Sequence, residues 1–227
     1  MDESITLVAP STGSALWARG FAVLYDPLLR AGEWTGMRSR RRDLLSRARG
    51  RTLEIGSGTG LNLPLYPDDV DELILAEPDG AMRARLQRRL NRTGRKAQVI
   101  EDPAERLPFA DGSLDTVVST LVLCTVDAPE LALREIARVL RPGGQLLFVE
   151  HVRADSPRLA RWQDRLAGPW RHFARGCRCN RATGPLIAAC GFELESVDAA
   201  PWHAMPPIVR PLITGRAVNP GLGAMTQ

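Results

Sequence analysis

The stretch that most constrains this chain is Thr52-Leu53-Glu54-Ile55-Gly56-Ser57-Gly58-Thr59-Gly60. Four residues that suit a short buried strand run straight into three glycines at alternate positions. Glycine takes positive φ without steric cost and lets another molecule lie against bare main chain. The spacing is not the dinucleotide fingerprint, whose third glycine stands three places after the second, and no Lys-Ser/Thr follows as a phosphate loop needs. A carboxylate, Glu54, sits two places before the first glycine. An acid beside a bare glycine turn suits a ligand that carries positive charge and an amine and has no phosphate. The alternative is a tight strand-to-helix turn that holds no ligand.

The surrounding pattern sets the fold class. Strand-like runs at 51–55, 73–76, 97–100, 115–120 and 145–150 are interleaved with helical stretches: a short one ending near Tyr66-Pro67, then 81–92 and 129–140. Such alternation predicts a parallel sheet with right-handed crossovers, and Leu146-Leu147-Phe148-Val149 suits a central strand covered on both faces. A helical stretch at 156–173, a short helix at 181–190 and closing strands at 192–197 and 208–218 follow. Ahead of the glycine turn come a loose arm (1–13), an apolar helix (14–31) that Pro27 is expected to break, and a basic helix (35–49). The expected architecture is an α/β, Rossmann-like, doubly wound, mostly parallel seven-stranded sheet with an N-terminal helical cap. Residues 1–50 form the arm and cap, and 51–227 the core, with lid helices around 156–190. Ligands of such sheets sit beyond the carboxyl ends of the strands, where strand order reverses, and the glycine turn lies at that edge.

Composition narrows the class. At 227 residues, 44% hydrophobic and 25% charged, the chain suits one soluble α/β domain with a small cap. No apolar run reaches the roughly 18 residues of a membrane helix, and Met1–Pro10, with Asp2 and Glu3, does not read as a signal peptide. The net charge of +4 is carried by arginine, Lys96 being the single lysine. Arg38, Arg40, Arg41, Arg42, Arg47 and Arg49 read as a solvated helix face, the alternative being contact with an acidic membrane surface or partner. Arginines scattered in this way do not point to nucleic acid. Cys124, Cys177, Cys179 and Cys190 lack paired zinc spacing, so no metal is expected, and the chain reads as reduced and cytoplasmic.

Glu54-x-Gly56-x-Gly58-x-Gly60 resembles motif I of the class I S-adenosylmethionine (SAM)-dependent methyltransferases, whose glycines make room for the methionine part of SAM. Further pieces resemble the family in order: Glu77 ending the second strand; Glu101-Asp102-Pro103-Ala104-Glu105-Arg106-Leu107-Pro108-Phe109, similar to a segment of ubiquinone-biosynthesis-type methyltransferases; Asp115 to Val126; and Leu140-Arg141-Pro142-Gly143-Gly144. The resemblance implies a SAM site, with S-adenosylhomocysteine as product, built from Glu54, Gly56, Ser57, Gly58, Gly60, Asn62, Glu77, Pro78, Met82, Pro103, Ala104, Glu105, Thr120 and Leu121. In the family the residue at Glu77 holds the ribose hydroxyls; the alternative is an acid at a helix N-terminus. Pro103 stands where the family places an aspartate on the adenine amine, which leaves that contact to the Ala104 and Glu105 main chain or to Asp102.

A narrower resemblance runs through Thr120-Leu121-Val122-Leu123-Cys124, Glu150-His151-Val152, Trp162-Gln163, Pro169-Trp170, Gly176-Cys177, Arg181, Pro201-Trp202 and Gly215-Arg216-Ala217-Val218. It is to the alkyl thiol S-methyltransferases, and covers roughly residues 52–218. Their animal members carry a hydrophobic N-terminal anchor that this N-terminus does not resemble, so a soluble relative with at most peripheral membrane contact is expected. The implied activity is S-methylation of a small-molecule thiol. Phospholipid N-methyltransferases and quinone C-methyltransferases share the pattern more loosely, so an N-, O- or C-acceptor stays open, as does a SAM-binding protein without catalysis. His151, just past the fifth strand, is the candidate base, with His172 and His203 behind it; otherwise it is a strand-end histidine bonded to main chain. Tyr25, Trp34, Trp162, Trp170 and Trp202 are candidates for an aromatic wall around the acceptor, or are plain core. Cys124 is a candidate acceptor contact, and both Cys124 and Cys177 read as packing residues, since the chemistry needs no covalent step.

Overall fold

A computed structural model describes residues 15–221. The arm expected at 1–13, and the first residue of the helix expected at 14–31, lie outside the described residues. The helix β-strand alternation closes into one seven-stranded sheet of order β3-β2-β1-β4-β5-β7-β6. Its strands are β1 (Arg51–Ile55), β2 (Glu72–Ala76), β3 (Gln98–Ile100), β4 (Leu114–Thr120), β5 (Leu140–His151), β6 (Glu193–Pro201) and β7 (Pro211–Val218). β1 to β5 pair in parallel, and β7 runs antiparallel to both β5 and β6. The order reverses between β1 and β4.

Strand side chains alternate between two cores. Leu53, Ile55, Val117, Leu146 and Phe148 enter one, while Val118, Leu147 and Val149 enter the other. A strand buried on both faces needs apolar residues at every position, and each fully buried large side chain contributes about 1.5–3 kcal/mol. Glu54 therefore points opposite to Leu53 and Ile55, toward the face covered by α1 (Ala15–Gly32), α2 (Arg38–Leu45) and α3 (Gly80–Thr93). The other helices are α4 (Pro129–Val139), α5 (Pro157–Phe173) and α6 (Thr183–Ala189).

Two local expectations are corrected. Pro27 does not break the first helix, which runs through it to Gly32. Pro27 and Val23, the residue whose carbonyl loses its partner, are both exposed, so water can serve that carbonyl. The break comes instead in a π-helical turn (Glu33–Met37) at Gly36, whose φ of 121° suits glycine. The helix expected after the glycine turn shrinks to one 3-10 turn, Leu63–Leu65, in which Pro64 lacks the N–H to continue it. Among the described residues no helix is long and apolar enough to cross a membrane.

Candidate active site

The glycine turn leaves the carboxyl end of β1 with φ of 54° at Gly56, 57° at Gly58 and 81° at Gly60. A Cβ on Gly56 would meet Val122 Cγ2 at 2.6 Å, and one on Gly60 would meet Leu86 Cδ1 at 2.7 Å. At Gly58 the nearest atom is Gly56 O at 3.9 Å, so that glycine opens onto free space. Ser57 ties the turn down, its N–H donating to Ala76 O at 2.9 Å and its Oγ to Glu54 O at 3.2 Å.

Glu77 follows β2 and faces the turn. Its Oε2 accepts from Gly58 N at 2.7 Å and its Oε1 from Asp79 N at 2.8 Å. Burial raises its pKa against the pull of those two N–H groups. The helix-capping role belongs to Asp79, whose Oδ1 accepts from Ala81 N and Met82 N. Glu77 is thereby held, buried, against the glycine turn. Pro78 is exposed. Met82 is buried in a cluster with Phe21 and Ala22 of α1. Beyond β3, Pro103 is exposed, Ala104 buried and Glu105 half-buried, in a turn closed by Arg106 N on Pro103 O at 3.1 Å.

Glu54 lies deeper. Its Oε1 accepts from Asn62 Nδ2 at 3.0 Å and its Oε2 from the Tyr66 hydroxyl at 2.8 Å. Asn62 Nδ2 also reaches Thr120 Oγ1 at 3.0 Å, so the ends of β1 and β4 share one polar network. Burial pushes Glu54 up to about 7, although Tyr66, Asn62 and Arg41 all pull it down.

The β4 end turns sharply. Leu121 takes a φ of 61°, which is uncommon outside glycine. The segment after it wraps the Glu150 carboxylate, which accepts from Ser119 Oγ at 2.6 Å, Val122 N and Leu123 N at 3.0 Å and Cys124 N at 3.1 Å. Arg181 donates to Leu123 O and to Val126 O from the other side. Cys124 meets Cys177 with 4.0 Å between sulfurs, and the Cys177 thiol together with burial pushes Cys124 up, so it is no ready thiolate.

The cap closes over this edge. Asp26 of α1 accepts from Thr59 Oγ1 and from Arg89, each at 2.5 Å. Tyr25 is pushed up to about 12 by burial, against the pull of Arg41. Trp17 of α1 meets Phe173 of α5 at 6.0 Å between ring centroids, and Trp170 meets Phe173 at 5.6 Å. Arg175, just past α5, pairs with Asp79 at 2.5 Å.

Four sequence candidates sit elsewhere. His151 is buried, stacked on Trp202 at 5.6 Å between centroids, and burial lowers it to about 4, only partly offset by the Val209 and Pro211 carbonyls. Trp202 is core, lying against Gly32, where a Cβ would meet its Nε1 at 2.3 Å. Trp162 is 55% exposed on the outer side of α5, under the Arg165 guanidinium, and Trp34 is 81% exposed. Spacing gives no role of its own to Glu150, an acid at the end of an apolar strand. Arg41, expected on a solvated face, is 4% exposed. The signal for both was a charge at a core-facing register position.

The residues of this edge fit SAM: open main chain at Gly58, a carboxylate at Glu77 for a diol, and a second carboxyl group, Glu54, deeper at the end of the neighbouring strand. Comparison with known proteins identifies the family. A methyltransferase-domain family model matches residues 53–148. The human thiol S-methyltransferase TMT1B is 35% identical over 199 residues, spanning 81% of this chain and 80% of that one. A phosphatidylethanolamine N-methyltransferase of Cereibacter sphaeroides is 36% identical over 120 residues, spanning 52% of this chain and 59% of that one. A crystal structure described as a SAM-dependent methyltransferase, possible histamine N-methyltransferase, from Thermotoga maritima superposes with a TM-score of 0.68 at 23% identity, covering 90% of this chain and 98% of that one. Sheet order, glycine turn and relatives together make this chain a SAM-dependent methyltransferase belonging to the thiol S-methyltransferase family.

Proposed function

We propose that the chain methylates the sulfur of a small-molecule thiol. The observation that carries this is the likeness to TMT1B over four-fifths of both chains, well past the shared methyltransferase domain. Bound SAM supplies a methyl group on a sulfonium that is already a good leaving group. The work left to the protein is to align nucleophile and methyl carbon and to exclude water. In this reading Glu77 accepts from the ribose hydroxyls. The Ala104 and Glu105 main chain and Met82 flank the base. Glu54 faces the methionine amine, and Thr120 and Leu121 stand between donor and acceptor. Tyr25, Cys124 and Trp170 wall the acceptor side.

A thiol suits these surroundings. With a pKa of about 8.5 it is a few per cent thiolate near neutrality without help, and beside a sulfonium the thiolate is favoured further. His151, neutral and of pKa about 4, is too weak a base for an alcohol. All four cysteines are free thiols, which suits the reducing cytoplasm. Peripheral membrane contact would use the exposed row Leu16, Val23, Leu24, Leu28 and Trp34 along the cap. A second reading, N-methylation of a lipid or other small metabolite, is favoured by the partial likeness to the phosphatidylethanolamine enzyme.

The test is a panel of thiols, catechols, quinones and lipids with methyl-labelled SAM. Label in thioether products is expected. Label confined to the other classes overturns the thiol acceptor, and SAM binding with no turnover on any class leaves a binding protein.

A further inference from the structure

Cys124, in the segment after β4, and Cys177, in the segment after α5, stand with 4.0 Å between sulfurs although 53 residues separate them in sequence. The main chains that carry them are already joined. Arg178 N donates to Cys124 O at 2.7 Å, and Arg181 donates to Leu123 O and Val126 O. A Cβ on Gly176 would meet Thr125 O at 2.8 Å, so the two segments touch beside the thiols. A disulfide needs its sulfurs at about 2.05 Å and its Cα atoms roughly 4.4–6.8 Å apart. Main chains one hydrogen bond apart bring the second demand within reach. Turning a side chain from one staggered rotamer to another can close the first.

The two thiols are unlike. Cys177 is 5% exposed and Cys124 is 0% exposed, so a small reagent meets Cys177 first. A hydrogen bond from the Cys124 thiol holds Cys177 below its ordinary value against the effect of burial, while Cys124 is pushed up. Cys177 thus has the character of an attacking thiolate and Cys124 that of a resolving thiol. The stretch that leads into Cys177 also bridges two parts of the core. Arg171 pairs with Asp127 beyond β4, and Arg175 pairs with Asp79 at the N-cap of α3, two residues from Glu77.

We propose that Cys124 and Cys177 are a site of reversible oxidation by a hydroperoxide, and that their disulfide tethers the segment after α5 to the segment after β4. The Cys177 thiolate attacks one peroxide oxygen, an S–O bond forms as the O–O bond breaks, and the departing oxygen takes up the proton that Cys177 released. Cys124 then attacks the Cys177 sulfur. The S–S bond forms as the S–O bond breaks, and hydroxide leaves with the Cys124 proton as water. The pair gives up two electrons and the hydroperoxide takes them. In a reducing compartment such a bond is transient and sensing rather than structural. Here it fixes the stretch that Arg171 and Arg175 hold against the core, so ligand exchange at the glycine turn slows. That consequence rests on the SAM reading of the site; the oxidation itself does not.

The test treats the full chain with hydrogen peroxide and reverses the treatment with a phosphine, since a thiol reductant is itself a candidate acceptor. Peptide mapping without reduction is expected to give one cross-linked pair, holding Cys124 and Cys177. The melting temperature is expected to rise by about 5–10 °C, because the bond closes a long loop between segments already in contact. Release of S-adenosylhomocysteine in stopped-flow is expected to slow by at least about threefold, as it does when exit waits on a lid. Phosphine restores all three. Cys177→Ala is expected to abolish the cross-link and both shifts, while Cys179→Ala keeps them. Mapping of the wild type and Cys179→Ala carries the test if Cys177→Ala does not fold. No cross-link, a cross-link between any other pair, a melt that falls on oxidation, or release that oxidation leaves unchanged overturns the proposal. If the reduced protein binds no S-adenosylhomocysteine, the SAM reading fails, and the cross-link and the melt still decide the oxidation.

Discussion

At the scale of single residues, two buried groups tie stability to pH in opposite senses. Glu54 is raised from 4.5 to about 7, so between those values the folded chain keeps a proton that the unfolded chain has released. Stability therefore falls as pH rises through that window, by about 3 kcal/mol for a shift of this size. His151 is lowered from 6.5 to about 4, so there the unfolded chain holds the extra proton and stability is lost as pH falls. That loss is again about 3 kcal/mol. The windows overlap, and the slopes oppose each other between pH 4.5 and 6.5. Denaturant unfolding across pH 4–8 separates them. Relative to wild type, Glu54→Gln is expected to gain stability as pH rises from 4.5 to 7, and His151→Phe to gain it as pH falls from 6.5 to 4. Variant curves that run parallel to wild type would remove either assignment.

At the scale of elements, the carboxyl end of β4 depends on the segment that follows it. An apolar turn with a left-handed Leu121 is held by Glu150 of the adjacent strand, whose carboxylate collects one hydroxyl and three main-chain N–H groups. Strain at such a residue persists where its surroundings over-determine it. Glu150→Ala leaves those donors buried without an acceptor and is expected to cost about 3–5 kcal/mol. Glu150→Gln keeps an acceptor but sets an NH₂ among donors, and should fall between. Thermal melts rank the three proteins, and a Glu150→Ala protein as stable as wild type would deny Glu150 this role.

At the scale of the whole molecule, the cap is latched to the core across the crevice. Asp26 joins α1 to Thr59 of the glycine turn and to Arg89 of α3, and Arg175 joins the segment after α5 to the N-cap of α3. Trp17 and Phe173 bring α1 and α5 together. A ligand on the glycine turn would lie under these contacts. Asp26→Ala is expected to lower stability by about 1–2 kcal/mol and to speed S-adenosylhomocysteine dissociation several-fold in stopped-flow. A slower melt-neutral release, or an unchanged one, would show that Asp26 is no latch.

Much of this was legible along the chain because it is written in local spacing. Alternating strands and helices set a parallel sheet, and three glycines two apart, after a strand that ends in an acid, marked the ligand edge. The antiparallel β7 inserted between β5 and β6, the survival of α1 through Pro27 and the break at Gly36 depend on which face meets water. Arg41 reads as part of a solvated face and Glu150 as a strand end without a role, because their partners come from distant segments, Asn62 for one and residues 119–124 for the other. His151, Trp162 and Trp202 looked alike as candidates, yet one ring is walled in, one faces solvent and one fills the core. Residue type and spacing determined the scaffold and the cofactor turn, since both come from local backbone geometry. Burial determined which charges and rings are enclosed and which meet water, and burial is a property of the assembled tertiary structure.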